Sequence, residues 1–391
     1  STIMAAIHVD PREHDADEIE SPLTEDDWIF DSIKSYKHLH MYELQNIPTA
    51  IDFVNKEAIC ISCQRKDGGS EILELHIPDR LLATKEILSK DRDFSVISGG
   101  FHNKPITGIY CLHGTRNFVT TEENDNSIGV WCLGSDRSDM CKFKSRIKSD
   151  FESGRPVQAC LLKDNSKMVA FGSCLKDLTL ADVNSEKVFL TSNQSQEGTS
   201  EGTIEHLSFV DDHTLFIMSE NGQVWLMDTR ENGQMTLTFP KVMTPEVSSD
   251  VKVTWSCDTK QQTFVRINDQ GQGHFGDIRN SKSTKKFNFP MPRRNSDIGK
   301  TKVKISPHSD TFSLSGLNGN IELFDILNQK DSDEHLSPIF THRGHSACSE
   351  ATDTVTMATA WYPWQQNLIF SAANDGSLHA WNYICDPKVV H

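Results

Sequence analysis

The chain has 391 residues and a formal net charge of -16, from 39 Lys and Arg against 55 Asp and Glu. That balance argues against a general nucleic-acid or membrane-surface binder, because phosphate-coated partners need a basic footprint. Hydrophobic residues at 37% suffice for a core, and no apolar run approaches the ~18 residues of a membrane-spanning helix. Ten Cys in so long a chain do not read as a disulfide scaffold, and no secretory leader opens it, so reduced thiols in a cytosolic or nuclear protein are expected.

Residues 1–27 carry nine acids and a single Arg12, half of the whole charge excess. Residues 1–23 read as an acidic disordered tail. From Thr24 the pattern changes: Thr24-Glu-Asp-Asp27 resembles a capping box, and Ile29, Ile33 and Tyr36 share one helical face, which predicts a short helix over 25–37. Next, His40-Met-Tyr-Glu-Leu44 reads as a strand over about 40–45 that completes the last unit of a closed ring.

Over 49–391 one pattern recurs: a short apolar run, a tight turn with Asn, Asp or Gly, then an alternating run ending near an acid. It is plainest in Ser371-Ala-Ala-Asn-Asp-Gly-Ser-Leu-His-Ala-Trp-Asn382, Thr121-Glu-Glu-Asn-Asp-Asn-Ser-Ile-Gly-Val-Trp-Cys132 and Asn318-Gly-Asn-Ile-Glu-Leu-Phe-Asp325. The copies end at 76, 132, 182, 228, 277, 325 and 382, so the spacings are 56, 50, 46, 49, 48 and 57 residues. A four-stranded propeller blade takes roughly 40–45 residues, more with long loops. The fold class is therefore all-β: a seven-bladed β-propeller in residues 24–391, with a short N-terminal helix, monomeric alone.

In the last copy Gly344-His345 would bond inward to Asp375, with Ser371 and Trp381 completing a buried network. His102, Thr121, Asp125 and Trp131 repeat the set in the second, with six residues from Asp to Trp in both. Two occurrences at matched spacing favour a structural network over a Ser-His-Asp nucleophile. This constellation resembles the WD-repeat signature. From Asp26 to Asn382 the whole chain resembles the WD-repeat propeller family, carried by Asp26-Asp-Trp-Ile-Phe-Asp-Ser-Ile, Asp91-Arg-Asp-Phe-Ser-Val, Gly99-Gly-Phe101, Phe340-Thr-His-Arg-Gly-His345 and Ser371 to Trp381. The acidic extension ahead of Asp26 and the loop lengths depart from it.

The resemblance implies a non-enzymatic scaffold without cofactor or metal, mainly cytoplasmic and partly nuclear. It also implies association with spindle poles and microtubule organisation in mitosis. Its implied protein partner is the RNA endonuclease heterodimer of the Integrator complex, handled in the cytoplasm. Nothing in the sequence supports an enzyme: there is no phosphate-binding Gly loop, paired ligand motif or nucleophile elbow.

Other residues carry alternatives. Cys60-Ile-Ser-Cys63 is a C-x-x-C without a second pair, and on a strand its thiols would diverge, so core packing is expected rather than zinc. The stretch 280–304 sets eight cations, among them Lys285, Lys286, Arg293 and Arg294, against one acid, with Phe287 and Phe289 interleaved. It reads as a solvated loop or as a docking loop for an acidic partner such as tubulin tails, and Ser296 could take a phosphate there. Long insertions at 193–203, 240–250, 290–301 and 346–356 should leave one face of the ring and carry recognition. Trp364 is either a binding anchor or packing against a neighbouring blade. Asp228-Thr-Arg230 and Asp277-Ile-Arg279 resemble, without its Trp, the box of substrate receptors for cullin-type ubiquitin ligases. Local strand-end ion pairs are the plainer reading of both.

Overall fold

In the computed structural model the described residues are 33–82, 93–135, 139–149, 155–162, 167–192, 203–220, 223–230, 235–239, 253–258, 262–291, 301–326, 335–347 and 353–384. They form seven antiparallel sheets of four strands each. Blade one is built from Ile47–Asn55, Ala58–Gln64, Ser70–His76 and Ser95–His102. Blade two holds Ile106–Cys111, Asn117–Glu122, Ser127–Cys132 and Lys142–Lys148. Blades three to six follow in the same order, with third strands Thr179–Asp182, Val224–Asp228, Gln272–Asp277 and Ile321–Asp325. Six of the seven sequence anchors are the last residue of a third strand, and the seventh lies one residue inside Ser377–Tyr383.

Blade seven takes only three strands from the C-terminal side: Thr356–Trp361, Leu368–Ala373 and Ser377–Tyr383. Its outermost strand is Tyr36–Glu43, registered from Tyr36↔Tyr383 to Glu43↔Ser377, so the N-terminal segment closes the ring. The closing strand starts earlier than the sequence pattern suggests. Ile33–Ser35 is a single 3-10 turn and Tyr36 has already entered the ladder, while 25–32 and the acidic tail lie outside the described residues. Tertiary pairing overrides the local helical spacing here, because Tyr36 is needed in the buried junction between blades six and seven. Leu44 N then donates to Gly376 O at 2.8 Å and pins the end of the strand to the last hairpin.

The core has no single centre. Among the described residues it divides into seven apolar clusters, and each one lies between two neighbouring blades. Inner strands are consequently covered on both faces, which is why they read as unbroken apolar runs rather than alternations. Ala58–Gln64 shows it: Ile59, Ile61 and Cys63 face blade seven, while Ala58 and Cys60 face blade two. The two thiols of the C-x-x-C thus enter different clusters, and burial pushes the Cys63 thiol up to about 12.

The stretch 280–304 is less loop than its charge suggested. Asn280–Asn288 is the outermost strand of blade five, and Lys302–Ile305 is the innermost of blade six. Phe287 and Phe289 point into the cluster between these two blades rather than into solvent. Their burial outweighs the solvation of the flanking lysines, since a buried Phe is worth about 1.5–3 kcal/mol over an exposed one. No described helix is long and apolar enough to cross a membrane.

Candidate functional site

The polar network of blade seven forms around Ser371. Its hydroxyl accepts from Trp381 Nε1 at 3.1 Å and lies 2.9 Å from His345 Nε2. His345 enters from the helical turn Gly344–Ala347 that links blades six and seven. Asp375 is reached indirectly: His345 Nδ1 lies 2.6 Å from Ser377 Oγ, which donates to Asp375 Oδ1 at 2.6 Å. The direct His345–Asp375 bond expected from sequence is thus replaced by a hydroxyl relay.

Blade two departs further. Trp131 Nε1 donates to Thr120 Oγ1 at 3.0 Å, not to Thr121, whose hydroxyl meets Thr107 at 3.0 Å. Four residues form the turn before Ser127–Cys132, against three before Ser377–Tyr383, so the matching Ser/Thr lies five before Asp125, not four. The extra residue is accommodated by Asn124 at φ 56. His102 Nε2 lies 3.0 Å from Glu122 Oε1 instead of bonding Thr121 or Asp125. Glu122 is fully buried and also accepts from Arg146 Nη2 at 2.7 Å. Burial opposes its charge, yet hydrogen bonds from His102 and Arg146 hold its carboxyl below the usual range. Asp125, bonded by Lys104 at 2.7 Å against the opposing effect of burial, is held at about 2. Sequence reasoning missed this ionic cluster, although Glu122 follows the threonines directly in the repeat.

A second missed feature joins blades six and seven. Tyr36 Oη lies 2.8 Å from His342 Nδ1, and His342 Nε2 lies 3.0 Å from His379 Nδ1. His342, His345 and His379 are all buried, and one ring nitrogen of each lies within 4.8 Å of the others. The group does not fit a metal. His345 and His379 stack at 3.9 Å and 6°, so their lone pairs run side by side instead of converging on one ion. Both nitrogens of His345 already meet serine hydroxyls. The arrangement suits a hydrogen-bonded junction.

The other candidates sit on the surface. Lys285 and Lys286 lie on the outermost strand of blade five, half-buried and exposed respectively. Arg293 and Arg294 lie outside the described residues, as does most of the insertions 193–203, 240–250 and 290–301 and part of 346–356. In chain order each insertion follows the outermost strand of one blade and precedes the innermost strand of the next. Trp364 is 37% exposed, with its ring edge-on to Tyr362, Phe53 and His113 of blades seven, one and two. Arg230 closes a two-pronged pair with Asp228 (3.0 and 2.6 Å), and Arg279 repeats it with Asp277 (2.9 and 2.5 Å). Inside the ring, Asp52, Tyr110, Gln158, His206 and Lys304 border a hollow of about 250 Å³.

No family model matches the chain. It is similar along nearly its whole length to proteins named Integrator complex assembly factor WDR73. The Danio rerio protein is 29% identical over 92% of this chain and 96% of its own length. The Xenopus laevis protein is 28% identical over 91% and 97%, and the Homo sapiens protein 23% identical over 93% and 99%.

Proposed function

We propose that this chain, a WD-repeat protein and a non-catalytic scaffold, serves the assembly of the Integrator complex by holding that complex's RNA endonuclease heterodimer in the cytoplasm. The observation that carries the reading is the span of the likeness, which covers 91% to 93% of this chain. The ring supports it physically. Seven packed clusters hold the connecting loops on a rigid frame, so a partner loses little ordering entropy on docking. The client's place on this reading is the face carrying 193–203, 240–250, 290–301 and 346–356.

A weaker contact with acidic tubulin tails, through Lys285, Lys286, Arg293 and Arg294, would bring the protein to spindle poles. The ubiquitin-ligase reading gains nothing from Arg230 and Arg279, because each guanidinium is engaged by its own Asp.

Purified chain mixed with the recombinant endonuclease heterodimer at micromolar concentration and physiological salt should co-elute in size-exclusion chromatography with light scattering. Separate elution would reject direct client binding, and co-purification with the ligase adaptor through Arg230 and Arg279 would restore the alternative.

A further inference from the structure

The outermost strand of blade two, Lys142–Lys148, reads Lys-Phe-Lys-Ser-Arg-Ile-Lys, four cations and no acid in a chain of net charge -16. It pairs with Ser127–Cys132 on one side, and its other edge carries no strand among the described residues. Lysines alone would be ordinary protection of an open edge against unwanted pairing. Exposed aromatic surface is not. Phe143 on this strand is 45% exposed, Phe101 on the outermost strand of blade one 57%, and Met140, in the connector from Ser127–Cys132 to this strand, 55%.

Phe143 faces blade one against His102, whereas Phe101, the residue before His102 on the same strand, takes the opposite face. Cys141 N donates to Gly99 O at 2.9 Å, joining the connector to blade one, and the His102 ring stacks on Phe143 at 6.3 Å and 16°. Guanidinium groups flank both rings, with Arg65 4.9 Å from Phe101 and Arg146 5.7 Å from Phe143. Lys144 Nζ donates at 2.8 Å to the neutral Asn117 Oδ1, and Lys148 borders a hollow of about 520 Å³ with Lys104 and Arg146. Single exposed apolar side chains need no explanation, but a pair of them at an open strand edge bordered by cations does.

We propose that this edge docks an acidic, extended segment of a partner protein. The segment adds beside Lys142–Lys148 as a further strand, rests its apolar side chains on Met140 and Phe143, and directs its carboxylates to Lys144 and Lys148. Main-chain hydrogen bonds along such an edge supply affinity, and alternate side chains supply specificity. Charge complementarity fixes the sign of the occupant: Lys142 pairs with Asp139, and Arg146 with Glu122 and Asp125, which leaves Lys144 and Lys148 to meet incoming carboxylates. The assignment does not depend on the endonuclease heterodimer being the client.

The probe is a fluorescein-labelled decapeptide alternating glutamate with leucine and phenylalanine, titrated by anisotropy with the full chain. Saturable binding should weaken about tenfold in Lys144→Glu/Lys148→Glu and in Phe143→Ser, and fall as salt rises. Lys167→Glu/Lys187→Glu on blade three should leave it unchanged, and circular dichroism should show all variants folded. Equal loss in the blade-three variant, unchanged affinity in the blade-two variants, or no binding at roughly 100 μM peptide would overturn the proposal. So would about tenfold tighter binding when the nine acids of 1–27 are changed to amides, because the chain's own N-terminal segment would then be the occupant.

Discussion

Ser371 Oγ serves two buried groups at once, Trp381 Nε1 and His345 Nε2, and Thr120 Oγ1 serves Trp131 in blade two. Removing such a hydroxyl leaves a donor in the core without a partner, which costs about 1–3 kcal/mol each. Ser371→Ala and Thr120→Ala should therefore lower the urea midpoint by that order, with Ser371→Ala the more severe. Equal midpoints for Ser371→Ala and the parent chain would show that the network is not stabilising. Which residues form the networks was largely legible in the sequence, but their connections were not. Ser371 and Trp381 are bonded as their spacing suggested, whereas Thr121 was displaced by the extra turn residue near Asn124. A count along the chain cannot tell a three-residue turn from a four-residue one, since both keep a spacing of six from Asp to Trp. His342 and Tyr36 gave no such signal, because their contact joins positions 306 residues apart.

At the scale of elements, the closing strand Tyr36–Glu43 depends on the last hairpin. Gly376 sits at φ +92, and a Cβ there would lie 2.6 Å from Leu44 O, beside the bond from Leu44 N to Gly376 O. An L side chain at this position is strained by its backbone conformation and clashes as well. Gly376→Ala should cost about 1–3 kcal/mol and speed hydrogen exchange along Tyr36–Glu43 more than in blades three and four. Uniform acceleration over all seven blades would refute a local role. The third strands were legible because each ends a hairpin rich in Asn, Asp or Gly. Of the outermost strands the ring-closing one was legible and the others were not; Asn280–Asn288 passed for loop because its lysines mask Phe287. Residues near the rim alternate between a packed face and solvent, so charge there says little about backbone conformation.

For the whole molecule, seven clusters shared between neighbours make the blades stabilise one another around the ring. The histidine junction makes this stability depend on pH. Burial holds His342 and His345 below their ordinary value of 6.5 and His379 at about 4. Well above pH 6.5 neither the folded nor the unfolded chain protonates them, and stability is full. As pH falls through 6.5 the unfolded chain takes up protons that the folded one refuses, so stability declines until the folded values are passed. Each histidine contributes a slope of about 1.4 kcal/mol per pH unit within that window. The urea midpoint should drop between about pH 7.5 and 5, and His379→Gln should flatten the dependence; an identical slope in that variant would exclude the junction as its source. Ring closure by Tyr36–Glu43 also orders events during synthesis. The partner of Glu43 is Ser377, so one edge of the final sheet leaves the ribosome roughly 330 residues before the other, which at 5–20 residues per second is about 15–70 s. Through that interval the early strand must stay unpaired beside blades that are already folding, which makes the nascent chain, rather than the finished ring, the form most exposed to premature pairing and chaperone capture.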